Sequence, residues 1–433
     1  MKYNKAEGYY GSPRLSGEVL DCSMPMTFDQ YSVCGYDCLY CFSQYQRGMN
    51  KGGTEESAIR YYTKRVKVVN VAAFKKLFRP DYSGFFSDYI KNRMTMQWGG
   101  LSDPFCPIEE QFGIGYELLT FLKMIKYPIC FSSKSDLLLR DEKYFELFKG
   151  SKNWSYKGTI ISLDDRRNNR MEIRCPSAET RLKVLEKLGS IGIWTILRLR
   201  PFIIGYSDYS FEELIKRAAD VGCRAISTEF FCLEMRSLSK TLIKKRYGLM
   251  SKLCGRNIVK FYRNISPGSG YLRLNYQIKV PYINRMRELC DKYHLNLHVS
   301  DAHHKEKGVS GSCCGLPDAE TNKPSLSNYN LCQFCNALQI AKKQGFVKFS
   351  DISIHAKDWM NQPIVDAPAF NTTSEPHRNS LRNMSVLMYM RNIWNNPKSG
   401  KSPYVYFGGV LVPSDLDENG DIIYTLNREL YGV

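Results

Sequence analysis

The sequence predicts an α/β protein whose core is a full or partial (β/α) barrel, followed by a cysteine-rich C-terminal extension. Two observations carry this. Apolar runs of strand type alternate with amphipathic helical segments from about residue 24 to residue 300, and such alternation calls for a parallel sheet with right-handed crossovers. Roughly six or more strand–helix units in a stretch of this length suit a barrel. Beyond residue 300 the periodicity stops, and "DAHHKEKGVSGSCCGLPDAETNKPSLSNYNLCQFC" is loop-like and rich in Cys, His, Gly, Pro, Ser and Asn. The division that follows is an N-terminal segment 1–23, a barrel 24–300, a Cys/His-rich metal-binding candidate 301–345 and an extension 346–433 without assigned structure.

"MPMTFDQ" (24–30) reads as the first strand and "TMQWGG" (95–100) as the second. Residues 108–125 form an amphipathic helix with acids in the first turn, where the helix dipole favours them. A strand at 128–134, a helix at 141–149, a strand at 158–165, a helix at 177–192 and a strand at 194–203 continue the order. The helix 210–222 opens with Ser210 and Glu213 at capping-box spacing and stops at Gly222. A strand at 225–231, a helix at 282–294 and a strand at 295–301 complete the alternation. In a β/α barrel the chemistry lies at the C-terminal ends of the strands.

Hydrophobic content of 43% with 24% charged residues is that of a globular protein. No early apolar segment of signal type and no bilayer-length apolar run is present, so a cytoplasmic chain without membrane attachment is expected. In a reducing compartment the 15 cysteines stay free, and clustered ones point to metal. Cys130 and Cys223 sit in apolar patterns and read as small buried hydrophobes. The net charge of +18 favours polyanionic partners, nucleic acid first, through phosphate contacts and counterion release.

The first strand runs into "YSVCGYDCLYCFSQ", in which Cys34, Cys38 and Cys41 are spaced C-x3-C-x2-C. Iron–sulfur clusters of four irons normally take four thiolates. Three would leave one iron with an open coordination position, as a catalytic metal needs and a structural one avoids. The competing reading is zinc held by the three cysteines and a remote ligand. Zinc loops usually pair C-x2-C with a second pair downstream, and none follows within about sixty residues.

This stretch resembles the radical S-adenosylmethionine (SAM) superfamily, whose signature is C-x3-C-x2-C after the first barrel strand. "GGLSDPFCPIEEQ" (99–111) and "SSKSDLLLRDEKYFELF" (132–148) are similar to segments of the spore photoproduct lyase-like subgroup, and "IISLDD" with "RLKVLEKLGSIGIWTILRLRPFIIG" keeps the same order over about residues 20–235. The resemblance implies a four-iron, four-sulfur cluster on Cys34, Cys38 and Cys41. It implies reductive cleavage of SAM to methionine and a 5′-deoxyadenosyl radical that removes a substrate hydrogen atom. It further implies that Ser102 and Asp103 hold the SAM amino group and that Lys134 and Ser162 hold its carboxylate, with Gly99 and Gly100 allowing close backbone approach. The lyases carry a hydrogen-donating cysteine directly before the Ser-Asp pair. Here that position is Leu101, and Cys106, five residues on, is the candidate donor. Arg198 and Arg200 alternate on one strand and face one side. Inside a barrel they would hold a phosphate or carboxylate; outside they would be surface charge or partners of Asp164 and Glu229.

Cys313, Cys314, Cys332 and Cys335, with His298, His303 and His304 upstream, form a second candidate metal group, an auxiliary iron–sulfur cluster or a zinc site. Three functions stay open: a radical SAM enzyme modifying or repairing a nucleic acid base, one modifying a peptide or protein, and a non-enzymatic zinc protein that binds nucleic acid. "KKRYGLMSKLCGRNIVKFYRN" (244–264) interleaves basic and aromatic residues, the mixture that contacts phosphates and stacks on bases. Radical chemistry of this kind also requires an electron donor, a reductase or a flavodoxin- or ferredoxin-type protein.

Overall fold

The computed structural model describes residues 2–11, 13–15, 23–43, 65–84, 86–235, 241–266, 271–310, 312–316, 334–354, 358–361 and 384–431. Its main sheet has eight strands: β1 (Arg14–Leu15), β2 (Met26–Phe28), β3 (Met96–Trp98), β4 (Ile129–Ser133), β5 (Trp154–Thr159), β6 (Trp194–Phe202), β7 (Ala225–Phe230) and β8 (Asn296–Val299). Spatial order follows chain order from one edge to the other. Every neighbouring pair is parallel except the antiparallel β1–β2 edge. A doubly wound sheet would reverse its strand order at a switch point. A sheet wound in one direction by right-handed crossovers carries its helices on one face and leaves the other as the inner face of a barrel. With β1 and β8 as edges, the barrel is open among the described residues.

The alternation of side chains separates these faces. Trp98, Phe131, Trp154 and Tyr156 point outward into the main core, where Phe131 and Trp154 pack 5.3 Å apart and Phe148 of helix α1 (Glu142–Phe148) lies 5.2 Å from Trp154. Their strand neighbours Cys130, Ser132, Ser155 and Lys157 therefore face inward. The pairing register carries that inner face across to Ile196, Arg198, Ser227 and His298. Residues Ser312 to Leu316 cross it near the strand starts. Trp194 Nε1 donates to the Gly315 carbonyl at 2.8 Å and Ser227 Oγ to the Cys313 carbonyl at 2.7 Å. Gly315 has φ +73° and rests on Ile196, whose Cγ2 a β-carbon would meet at 2.8 Å, so only glycine lets the segment lie this close.

Two local expectations shift. The strand expected at 158–165 lies at Trp154–Thr159, because the Trp-Ser-Tyr run supplies the strand-forming residues. "IISLDD" leaves the sheet, and Asp164 caps a short helix, Asp165–Met171, through the Arg167 N–H. Ser210 begins helix α2 (Phe211–Asp220) without a side-chain cap, since its hydroxyl accepts the Leu163 N–H at 3.0 Å instead. In the C-terminal part the strands Phe346–Val347, Leu411–Leu416 and Ile422–Leu426 form an antiparallel sheet, with Trp394 of the helix Val386–Trp394 packed 5.0 Å from Tyr424. No described helix is long and apolar enough to cross a membrane.

Two buried ionisable groups make the fold testable. Arg181 lies fully buried against Glu172 at 2.6 Å, and it also donates to the Thr159 and Pro176 carbonyls. Removing one partner of a buried pair strands the other charge at a cost of about 3–5 kcal/mol. Arg181→Met is expected to lower the urea-unfolding free energy by that amount, and a loss below about 1 kcal/mol would contradict the assignment. Burial raises the Glu306 carboxyl from 4.5 to about 7. The fold thus favours its protonated form, a stabilisation present below the unfolded value and lost as pH rises through about 7. Glu306→Gln should abolish this component, so the drop in thermal midpoint between pH 5 and pH 8 should shrink.

Candidate active site

The cysteine loop leaves the C-terminal end of β2, and buried polar residues fix its start. Asp29 Oδ1 accepts the backbone N–H groups of Leu101 and Ser102 at 2.8 and 2.7 Å, and Oδ2 pairs with Arg14. Gln30 accepts from Trp98 Nε1 at 2.8 Å and donates to the Pro104 carbonyl at 2.7 Å. These bonds join the loop after β2 to the loop after β3. Further on, Asp37–Cys38 pairs antiparallel with Glu172–Ile173, and the Cys41 N–H closes a turn on the Cys38 carbonyl at 3.1 Å. Arg246, buried on helix α3 (Thr241–Leu253), reaches Asp37 at 2.8 Å and the Cys38 carbonyl at 2.5 Å. Tyr40 donates its hydroxyl to Glu172.

All three loop cysteines are free thiols, with Cys38 buried and Cys34 and Cys41 partly exposed. Each has its own electrostatic setting. A thiol hydrogen bond with Cys106, then burial, pushes Cys34 well up. Burial pushes Cys41 up, with Cys38 and Cys34 adding to it. Cys38 goes the other way, because the thiol of Cys175 hydrogen-bonds it and Lys134 stands nearby. The Cys38 and Cys175 sulfurs lie 3.8 Å apart.

The remaining candidates surround this loop. Asp103 is buried, and its carboxylate accepts the Lys134 N–H at 2.6 Å, the Phe105 N–H at 3.0 Å and the Ser133 hydroxyl at 2.8 Å. Burial outweighs these bonds and raises its pKa. The Asp103 N–H points at Cys34 Sγ at 3.4 Å, which sets the carboxylate beside the loop. Ser102 Oγ donates to Asp29 at 3.2 Å. Gly99 has φ +91°, and a β-carbon on Gly100 would fall 2.1 Å from Thr27 Oγ1, so the protein's own packing uses both glycines. The Lys134 ammonium lies 5.6 Å from the Tyr40 ring centre. Burial pulls its pKa down, but Cys38, Glu172 and Cys175 more than reverse this and hold it charged. Ser162 is buried three residues past the end of β5, accepting the Asp164 N–H at 3.1 Å, with Ser210 Oγ at 3.4 Å.

Arg198 and Arg200 stand on the inner face. Arg200 is ion-paired with Glu229. Arg198 donates to the Arg200 carbonyl at 3.1 Å and has no carboxylate partner among the described residues. Burial and the neighbouring Arg200 bring it down to about 10, which leaves it a cation at neutral pH. Cys313 comes close to these arginines from the segment that crosses the strand starts. Its thiol is held well below the usual range by a hydrogen bond from Cys314, with Arg200, Lys305 and Lys157 adding to this. The Cys313 and Cys314 sulfurs are 3.9 Å apart. Cys332 and the side chain of Cys335 lie outside the described residues. His298 Nδ1 sits 3.0 Å from the Ser312 carbonyl, while His304 stacks on Tyr276 at 4.7 Å.

Cys106, the candidate hydrogen donor, lies fully buried beneath the loop, where the Gly35 N–H meets its sulfur at 3.4 Å. Other residues that position the site escape sequence reasoning. Cys175 stands alone in "RCPS", and only the Asp37–Cys38 ladder brings it to Cys38. Glu109, from the short helix Pro107–Phe112, accepts the Tyr31 and Tyr144 hydroxyls at 2.5 and 2.7 Å and the Gly115 and Tyr116 N–H groups at 2.8 Å. It is a structural knot under the loop.

The donor set can be tested against a cluster. Three free thiols leave one short loop, and a lysine and an aspartate flank them. No three His, Cys, Asp or Glu side chains among the described residues converge on a position for one metal ion. Thiolates are the ligands of iron–sulfur clusters, so the chemistry of this donor set, three free thiols on one short loop, fits such a cluster.

No family model and no curated protein matches the chain. Among solved structures it is similar to a spore photoproduct lyase variant, with 14% identity and a TM-score of 0.47 over 64% of this chain and 76% of that one. It is also similar to a lyase variant with bound AdoMet and dinucleoside spore photoproduct, with 15% identity and a TM-score of 0.46 over 64% and 77%. SuiB of Streptococcus suis bound to S-adenosylmethionine matches with 12% identity and a TM-score of 0.40 over 69% and 55%. At such identities these are likenesses of architecture and say nothing of substrate.

The anchoring of the loop by α3 has a measurable consequence. Arg246→Met should speed amide hydrogen exchange in peptides covering residues 34–41 by at least about tenfold, as expected when a charged hydrogen bond worth about 1.5–3 kcal/mol is lost. Unchanged exchange there would show that α3 does not hold the loop.

Proposed function

We propose that this chain is a radical SAM enzyme that modifies or repairs a nucleic acid base. The observation that carries the reading is the three-thiol loop at the end of the first parallel strand, set between the Asp103 carboxylate and the Lys134 ammonium. In this reading Cys34, Cys38 and Cys41 hold a four-iron, four-sulfur cluster. When bound, the cluster and SAM supply reductive sulfonium cleavage and a 5′-deoxyadenosyl radical, with the electron coming from a flavodoxin- or ferredoxin-type donor.

The chain's own residues bind and orient. A zwitterion wants a carboxylate near its ammonium and a cation near its carboxylate. Asp103 and Lys134 supply these two charges from adjacent strand ends, with Ser102 and Ser162 as polar neighbours. Arg198 offers a cation to a phosphate of the substrate, and the segment from Ser312 to Leu316 keeps water from entering through the strand starts. The net charge of +18 supports a nucleic acid substrate, and the expected setting is cytoplasmic.

Anaerobic reconstitution tests this, with iron and sulfide counted per chain and 5′-deoxyadenosine assayed with and without nucleic acid. Cys38→Ala should lose 5′-deoxyadenosine formation while keeping its circular dichroism. Lys134→Met should weaken SAM binding about ten- to a hundredfold, the worth of one charged hydrogen bond. Colourless protein with zinc and no iron would overturn the reading.

A further inference from the structure

The segment 241–266 contains seven Lys and Arg residues and no Asp or Glu. It folds as α3 and helix α4 (Ile258–Ile265), which meet at a corner around Gly255. The sequence suggests base stacking on its tyrosines, but both are buried. The Tyr262 hydroxyl donates to the Phe231 carbonyl at 2.6 Å, and that of Tyr247 donates to the Glu234 carbonyl at 3.1 Å. Arg246 is buried too, beneath the cysteine loop. The cations left outside are Lys244, Lys245, Lys252, Arg256, Lys260 and Arg263, all exposed, and none has an ion pair among the described residues.

The exposed aromatic at this corner comes from elsewhere. Tyr209, in the loop after β6, is 72% exposed. The Arg167 guanidinium lies 5.0 Å from its ring centre and 4.5 Å from that of Tyr206. Arg167 also donates to the Gly205 carbonyl at 2.7 Å and to the Leu253 carbonyl at the end of α3, so it ties Tyr209 to the basic helices. Arg256 lies over Phe261 at 4.9 Å, and its Nε comes close to Gly205. An exposed ring backed by a guanidinium, beside a row of exposed cations, is what a single strand needs: phosphates meet the cations and a base meets the ring.

We propose that α3, α4 and Tyr209 form the surface on which a single-stranded nucleic acid lies, with its backbone along Lys244, Lys252 and Lys260 and a base stacked on Tyr209. This rests on the nucleic acid reading above and assigns that reading a location. α3 is also the helix whose inner side anchors Cys38 and Asp37. A strand on its outer side therefore runs about one helix diameter, roughly 10 Å, from the thiols. A nucleotide swung out of such a strand can enter the cavity without the cost of opening a duplex.

The test is fluorescence anisotropy of a labelled twelve-nucleotide single strand, titrated at several salt concentrations. The proteins are the wild-type chain, a Lys244→Ser/Lys252→Ser/Lys260→Ser variant, Tyr209→Ala, and a control with Lys91→Ser, Lys152→Ser and Lys183→Ser. Three lost phosphate contacts should flatten the slope of log affinity against log salt by about 2 in the first variant and leave the control like wild type. Tyr209→Ala should bind at least about fivefold more weakly, the lower end of what one stacked base is worth. The proposal is overturned if the two lysine variants behave alike, if Tyr209→Ala binds like wild type, or if the matching duplex binds more tightly than the single strand. Should wild type bind no oligonucleotide yet still form 5′-deoxyadenosine, the nucleic acid reading itself falls. Should wild type and all variants bind alike, only the location falls.

Discussion

Two buried guanidiniums hold the cysteine loop in shape. Arg246 clamps the loop from one side through Asp37 and the Cys38 carbonyl, and Arg181 supports it from below through Glu172, which also accepts the Tyr40 hydroxyl. A short loop cannot bury enough apolar surface to fix itself. It can be fixed by buried charges that are paired with carboxylates and backbone carbonyls, because an unpaired buried charge is so unfavourable. A lysine could not do this, since the planar fork of arginine reaches a carboxylate and a carbonyl at once. The spacing of three nearby cysteines is thus set by residues that lie some 130 to 210 positions away in sequence.

The inner face shows the same economy applied unevenly. Lys157, Arg198 and Arg200 line it with Cys313, and Glu229 is the carboxylate paired there, on Arg200. On the outer face the equivalent strand positions hold Trp, Phe and Tyr, as burial demands. Among the described residues Lys157 and Arg198 form no ion pair there, so the inner face favours negative charge.

Much of the fold was legible because its signals are periodic. The alternation of strands and helices, and the division of Arg198 and Arg200 from Leu197 and Leu199, depend on spacing alone. The fifth strand was misplaced because "TIIS" is more apolar than "WSYKG", yet aromatic pairing on the outer core decides which run joins the sheet. The cysteine loop was legible as a local motif. Its supports were not: Cys175, Arg246 and Glu172 carry no local pattern and become neighbours only through the Asp37–Cys38 ladder and the packing of α3. In the basic segment most of the cations are exposed, but Arg246 and both tyrosines are buried. Helical phase turns Tyr247 and Tyr262 inward, and the exposed ring belongs to a loop some forty residues earlier.

The three thiols are also not equivalent, and the inequality has a direction. Cys34 lies on the Asp103 side and hydrogen-bonds the Cys106 thiol, so negative charge on its sulfur is disfavoured there. Cys38 lies on the Lys134 side and receives the Cys175 thiol, so negative charge on its sulfur is favoured. The loop therefore sits in a field running from a carboxylate to an ammonium. A ligand with an ammonium at one end and a carboxylate at the other aligns with that field in one orientation and opposes it in the reverse. Because a buried setting magnifies the difference between the two, the strand ends that carry Asp103 and Lys134 favour one orientation over the other.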